Sequence, residues 1–215
     1  MKILMTGFEP FGGETMNPAY EALKLLPENI AGAKIIRLQV PTAFSRCAPA
    51  VEEALLACRP DAVICVGQAG GRTCVTVERV AINLADAGLP DNLGAQPVDE
   101  PIRADGPAAY FSTLPVRAIV KNIREHGIPC QLSCSAGTYV CNCLMYELLH
   151  RSALFYPHIR AGFLHVPFAQ EQAVDKPGGT PSASLATIAR ALELAAEAVV
   201  KAPRDDLQEK KGLIC

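Results

Sequence analysis

The stretch Ser135–Arg151, SAGTYVCNCLMYELLHR, passes from small turn-forming residues into an amphipathic helix, with Cys141 and Cys143 at the junction. On a helix, residues two apart diverge by roughly 200°. The two thiols therefore cannot share a metal or a site. Cys141 is the nearer to the turn, where free backbone N–H groups and the helix dipole favour an anion. That setting lowers a thiol pKa, and the thiolate is the nucleophile. The same N–H groups could hold the oxyanion formed when a carbonyl is attacked. The plainer alternative is that Cys141 is a small hydrophobe in the core.

A cysteine nucleophile needs a base, and there are four histidines. His126 and His150 lie near helix ends and read as surface residues, and His158 falls in a polar loop. His165 is inside the apolar run GFLHVPF, where it is either hydrogen-bonded in the core or placed at a strand end for chemistry. Glu78 interrupts CVTVERVAIN directly before Arg79. It is either an acidic partner for a base or an outward charge on an edge strand.

The elements that must hold these residues alternate between strand and helix. KILMTGF (2–8), AKIIRLQVP (33–41), DAVICVGQ (61–68), PCQLSCS (129–135) and RAGFLHVPF (160–168) read as strands, and CVTVERVAIN (74–83) as a half-exposed one. Asn17 caps a helix that Pro18 opens. Further helices are expected over 45–58, from 116 to Gly127, and after the cysteine turn. For the last helix, Thr180 is expected as cap and Pro181 as first residue, with Leu185, Ile188, Leu192 and Val199 on one face. Residues 84–110 are rich in Gly, Pro, Asp and Asn and read as a long loop, which in a compact domain is usually functional or disordered. The fold expected is α/β: a three-layer α/β/α sandwich around a largely parallel, twisted mixed sheet. Residues 1–202 form one domain in this reading, with 203–215 a polar tail. Sites in such sheets lie beyond the carboxyl ends of the strands.

Composition narrows the classes. The chain has 215 residues, half of them hydrophobic and a fifth charged, with net charge −2. No basic block points to nucleic acid or to an anionic membrane. MKILMTGFEPFGG is too short and interrupted for a signal peptide or a span, so a cytoplasmic protein is expected. Nine cysteines without an export signal argue for reduced thiols, and no C-x-x-C occurs, so neither disulfides nor zinc are expected.

Glu78, Cys141 and His165, in that order, resemble the catalytic residues of the pyroglutamyl peptidase I (pyrrolidone-carboxylate peptidase) family. The resemblance covers roughly residues 1–200. It rests on TGFEPFGGETMNP, VICVGQAGGRTCVTVERVAIN, GPAAYFSTLPV, SAGTYVCN and GFLHVPF, five segments in family order. It implies a thiol exopeptidase that removes N-terminal pyroglutamate from peptides, needs no cofactor or metal, and commonly forms a homotetramer. It further implies a lactam pocket containing Phe8, Phe11, Asn17, Gln68 and Tyr139. Two positions depart from the pattern. Gly88 stands where the family often has arginine, thought to lie near the oxyanion, and Cys143 stands where relatives often have histidine. Gly88 leaves room for a degenerate homologue that only binds pyroglutamyl groups. A nucleoside phosphorylase-like transferase, with GQAGGR as a weak phosphate cradle, is the remaining alternative.

Overall fold

The structure is a computed structural model that describes residues 1–202. The tail expected over 203–215 lies outside the described residues. In chain order the elements begin with β1 (Lys2–Phe8), α1 (Pro18–Lys24), β2 (Asn29–Ile30), β3 (Ala33–Val40), α2 (Cys47–Cys58), β4 (Ala62–Gln68), β5 (Val75–Glu78), β6 (Val80–Ile82) and β7 (Ala109–Phe111). There follow α3 (Val116–Glu125), β8 (Cys130–Ser133), α4 (Val140–Phe155), β9 (Arg160–Val166), β10 (Phe168–Ala169), α5 (Gln170–Ala173), β11 (Ser182–Ala183) and α6 (Leu185–Lys201).

Continuous apolar runs become the strands at the centre of the sheet. Its order is β2-β3-β1-β4-β9-β5-β8, with β3, β1, β4 and β9 mutually parallel. Side chains alternate between two cores, as the two-residue strand period requires. Ile3, Met5, Ile64, Val66, Leu164 and Val166 face one core, which is completed by α1, α3 and α6. Leu4, Val63, Cys65, Ala161 and Phe163 face the other, which is completed by α2 and α4. Burial on both faces explains why these strands read as unbroken hydrophobic runs rather than as alternating ones. The three-layer expectation holds. Among the described residues no helix is long and apolar enough to cross a membrane.

Three local expectations are corrected. CVTVERVAIN is not a half-exposed strand. It breaks at Arg79 into β5 and β6, and β5 is inserted between β9 and β8, antiparallel to β9 and parallel to β8. Val75, Thr76, Val77 and Glu78 are all buried, because layers cover both faces of this strand. The last helix starts at Leu185, capped by Ser184, whose hydroxyl accepts the Thr187 N–H at 3.1 Å. Thr180 and Pro181 precede it because Ser182 and Ala183 pair with Phe168 and Ala169 instead. His150 is not at a helix end: it lies within α4, where its Nδ1 meets the Tyr110 hydroxyl at 2.9 Å.

The loop after β6 is ordered by its own polar side chains, as buried or covered backbone demands. Asp91 accepts from the backbone N–H groups of Phe44, Leu93 and Ala95 at 2.8–2.9 Å. Thr138 donates its hydroxyl to Asp86 O at 2.7 Å, and its backbone carbonyl accepts the Asp86 N–H at 3.0 Å. The loop is thereby pinned against the turn that starts α4.

Candidate active site

Three strands and one helix bring the chemistry together. In the antiparallel register of β5 and β9, Thr76 faces His165 and Glu78 faces Phe163. Glu78 is therefore diagonal to His165 on the same face, within reach of a long side chain. His165 Nδ1 lies 2.8 Å from Glu78 Oε1, with both side chains buried. The same carboxylate oxygen accepts from Arg72 Nη1 at 2.5 Å and from the Thr76 hydroxyl at 3.1 Å. Arg72 also donates to the Thr76 hydroxyl and, at 3.2 Å, to Ser135 O. The outward-charge reading of Glu78 is thus overturned: a buried charge needs partners, and this one has three.

Alpha-helix α4 supplies the thiol. Tyr139 is its N-cap and makes no side-chain capping bond, so the first-turn N–H groups of Val140 and Cys141 have no side-chain cap. Asn142, fully buried, anchors the turn. It accepts the Ile82 N–H at 3.0 Å and donates to Ile82 O and Leu84 O, both at 2.9 Å. Cys141 and Cys143 diverge as helical geometry requires. Cys141 lines a cavity with His165. Cys143 turns into the core between α2 and α4, 4.0 Å from Phe44 O.

Gly67 makes room beneath the nucleophile candidate. It is the register partner of His165 across β4 and β9. A Cβ built on it would stand 2.8 Å from Cys141 Sγ and 2.9 Å from Phe163 Cζ. Only glycine lets thiol, phenyl ring and strand approach this closely.

Electrostatics correct one expectation. The helix N-terminus was expected to lower the Cys141 pKa, yet burial pushes it up to about 12, with the Glu78 charge adding to the rise. The residue as a whole keeps some exposure. Packed protein surrounds the sulfur nevertheless, and desolvation outweighs the dipole there. Burial also lowers the His165 pKa against the opposing pull of Glu78. Burial works to raise Glu78, but the bond and charge of His165, with Arg72, outweigh it and hold the carboxyl below its ordinary value. These shifts favour a neutral thiol and a neutral imidazole beside an ionised Glu78. With Glu78 ionised, Nδ1 carries the ring proton and Nε2 is left as the acceptor.

The cavity closed by Cys141 and His165 measures about 110 Å³. Phe8, Phe11, Asn17, Gln68 and Tyr139, the residues implied by the resemblance, all line it. Phe11 and Tyr139 pack at 5.9 Å between ring centroids, and Phe44 braces Tyr139 edge-on at 5.4 Å. Asn17 is committed to structure: its Oδ1 accepts the Ala19 N–H and its Nδ2 donates to Glu9 O, both at 3.1 Å. Thr42, Ala136 and Val140 complete the lining and were not singled out from sequence. Nor were Gly67 and Thr76, since neither carries a local signal that separates it from other small strand residues. Among the described residues, no three His, Cys, Asp or Glu side chains converge as metal ligands.

This architecture has close relatives. The family model described as pyroglutamyl peptidase matches residues 1–202. A pyrrolidone-carboxylate peptidase of Enterococcus faecalis is 54% identical over 212 residues, 99% of each chain. That of Levilactobacillus brevis is 53% identical over 205 residues, 95% of this chain and all of the relative. Among solved structures, pyroglutamyl peptidase I of Bacillus amyloliquefaciens superposes with a TM-score of 0.90 at 48% identity, covering 94% of this chain and 97% of its own. The pyrrolidone carboxyl peptidase of Thermococcus litoralis gives 0.88 at 40% identity, covering 100% and 98%. With its whole described length matched in sequence and in fold, the chain belongs to the pyroglutamyl peptidase family.

Proposed function

We propose that this protein is a cysteine exopeptidase that removes N-terminal pyroglutamate from peptides through a thioester, with Cys141 as nucleophile, His165 as general base and acid, and Glu78 as its orienter. The observation that carries the reading is the small aromatic cavity whose wall is made by Cys141 and by His165 seated on buried Glu78.

A flat, uncharged lactam ring suits walls of Phe8, Phe11 and Tyr139. A free α-ammonium would lose its hydration there without gaining a counter-ion. Because thiol and imidazole are both neutral at rest, the proton moves as the bond forms. Cys141 Sγ attacks the pyroglutamyl carbonyl carbon while His165 Nε2 takes the thiol proton. The oxyanion lies at the start of α4, where the uncapped N–H groups supply preorganised donors. Collapse breaks the C–N bond, and the imidazolium gives its proton to the departing amine. Water, deprotonated by His165, then hydrolyses the thioester and frees pyroglutamate and the thiol. The resemblance also implies a cytoplasmic homotetramer. Exposed Phe111, Leu154 and Phe155 offer apolar surface for such an assembly, which sedimentation would measure.

Release of a fluorophore from a pyroglutamyl amide, blocked by iodoacetamide, tests the reading. No release from folded protein, or release that alkylation leaves intact, would sink it.

Gly88 gives a sharper test. The position is exposed and a Cβ there meets nothing within 4 Å. Its loop is held to the start of α4 by Asp86 and by the Tyr139 hydroxyl, which donates to Pro90 O at 3.1 Å. Gly88→Arg is expected to raise kcat by about tenfold or more with KM little changed, because a cation at the oxyanion acts on the transition state. The competing arrangement has Arg72 or Arg79 substituting for the missing arginine. Against Arg72, both ends of its guanidinium are engaged, by Glu78 and Thr76 and by Ser135 O. No gain from arginine at 88, with a large kcat loss in Arg72→Ala, would favour the substitute cation.

A further inference from the structure

Gln68 ends β4 at the cavity, and what it offers a substrate depends on which way its amide faces. Its neighbour Gln172, buried in α5, decides that. The polarity of Gln172 is set by groups that cannot reverse. Its Oε1 accepts the Ala169 N–H at 3.0 Å. Its Nε2 has two hydrogens: one goes to a carboxylate, Glu14 Oε2, at 2.9 Å, and a carbonyl, Met16 O, at 3.3 Å is only a weaker, shared acceptor for the other. Glu14 is itself held by Lys176, whose Nζ lies 2.6 Å from Oε1 and 4.4 Å from the centroid of the Phe168 ring. The atom of Gln68 that meets Gln172 Nε2 at 2.9 Å must therefore be an acceptor, and it is Oε1. Gln68 Nε2 is then turned away from Gln172. Among the described residues it has no hydrogen-bond partner, although Gln68 is almost fully buried and lines the cavity.

We propose that Gln172 is a positioning residue that fixes the polarity of the substrate cavity. It holds Gln68 so that an N–H donor, rather than a carbonyl oxygen, faces the bound ring. The group that answers such a donor is an acceptor oxygen. On the reading of function given above, on which this inference rests, that oxygen is the lactam carbonyl. A prolyl ring has no oxygen there, so it would leave the Gln68 donor unmet in a dry site. Sites built to bond a polar group reject analogues lacking it far more strongly than apolar pockets reject a methylene. Selectivity for the lactam thus originates partly in α5, a residue that touches no substrate.

The test uses KM and kcat for a fluorogenic pyroglutamyl amide with wild type, Gln172→Glu, Gln172→Met and Gln68→Ala, and with each Gln172 variant combined with Gln68→Ala. Glutamate at 172 puts an oxygen where Nε2 was. Gln68 must then turn its own Nε2 toward it and present Oε1 to the lactam oxygen. KM is expected to rise roughly 10–100-fold, the range for an opposed or unmet buried polar group, with kcat within about threefold, since the contact exists in ground and transition states alike. Methionine removes the lock without adding charge, and a rise in KM of about 3–10-fold is expected from losing one neutral hydrogen bond. On Gln68→Ala, both Gln172 changes should lose their effect on KM, because they act through the missing amide. If Gln172 merely braced α5, its effect would persist in that background and would fall on kcat and Tm. Should Gln172→Glu fail to fold, the methionine variant decides alone. Wild-type turnover with KM unchanged by either folded variant overturns the inference and leaves the peptidase reading standing. A wild type without turnover overturns both.

Discussion

Cys141→Ser is expected to cut kcat by more than about 10³-fold, while Cys143→Ser keeps most of the wild-type rate. The two positions are two apart in sequence, and their fates differ because a helix turns one toward the cavity and the other into the packing between α2 and α4. Cys141 shares its cavity with His165, which sits on Glu78 at 2.8 Å. Cys143 is packed among α2 and α4, beside Phe44 O. Serine at 141 keeps the size and the hydrogen-bonding capacity but offers a far weaker nucleophile. Serine at 143 adds a small polar group to a core and should show mainly as a modest loss of stability. In the same series, His165→Ala should approach the loss in Cys141→Ser, and Glu78→Gln should cost less, since an orienter contributes through the base it holds. Rates from folded variants, checked by circular dichroism, decide this. Comparable losses at 141 and 143 would remove the helical argument, and a silent Glu78→Gln would return that residue to a structural role.

The second large effect is expected at a residue with no side chain. In Gly67→Ala the new Cβ would lie 2.8 Å from Cys141 Sγ and 2.9 Å from Phe163 Cζ, distances at which something must move. The strand is paired on both sides, β1 and β9, and is slow to yield. The Phe163 ring is fully buried. The thiol is the softer of the two contacts, so it is displaced from its position beside His165. A misplacement of about 1 Å can cost on the order of 100-fold in rate, and overpacking costs about 1–3 kcal/mol in stability. Gly178→Ala is the control, since a Cβ there meets nothing within 4 Å. Kinetics and thermal melts of both variants suffice. If Gly67→Ala kept kcat within about threefold of wild type, the close approach of strand and thiol would carry no catalytic weight.

What the sequence determined by itself is local or strongly periodic. The buried strands β1, β4 and β9 are legible as apolar runs, and α1 is legible from Asn17 and Pro18, because a cap acts within one turn of the residue that makes it. The divergence of Cys141 and Cys143 follows from helical geometry alone. The five-segment resemblance also named Phe8, Phe11, Asn17, Gln68 and Tyr139, which line the cavity, but not Thr42, Ala136 or Val140 beside them. Tertiary structure decided the rest. Glu78 has the same local pattern whether it stands on an edge strand or inside a sheet. Its burial depends on β5 being inserted antiparallel to β9 and covered on both faces, and nothing within ten residues encodes that. The Cys141 pKa turned the same way: the helix terminus is a local, favourable influence, but desolvation sums over every atom packed around the sulfur. Thr180 and Pro181 are a sound start signal that lost to the pairing of β11 with β10. The direction of the Gln68 amide depends on Gln172, more than a hundred positions away. Caps and periodicities are set by neighbours along the chain, whereas burial, charge and amide polarity are set by neighbours in space, and only folding chooses those.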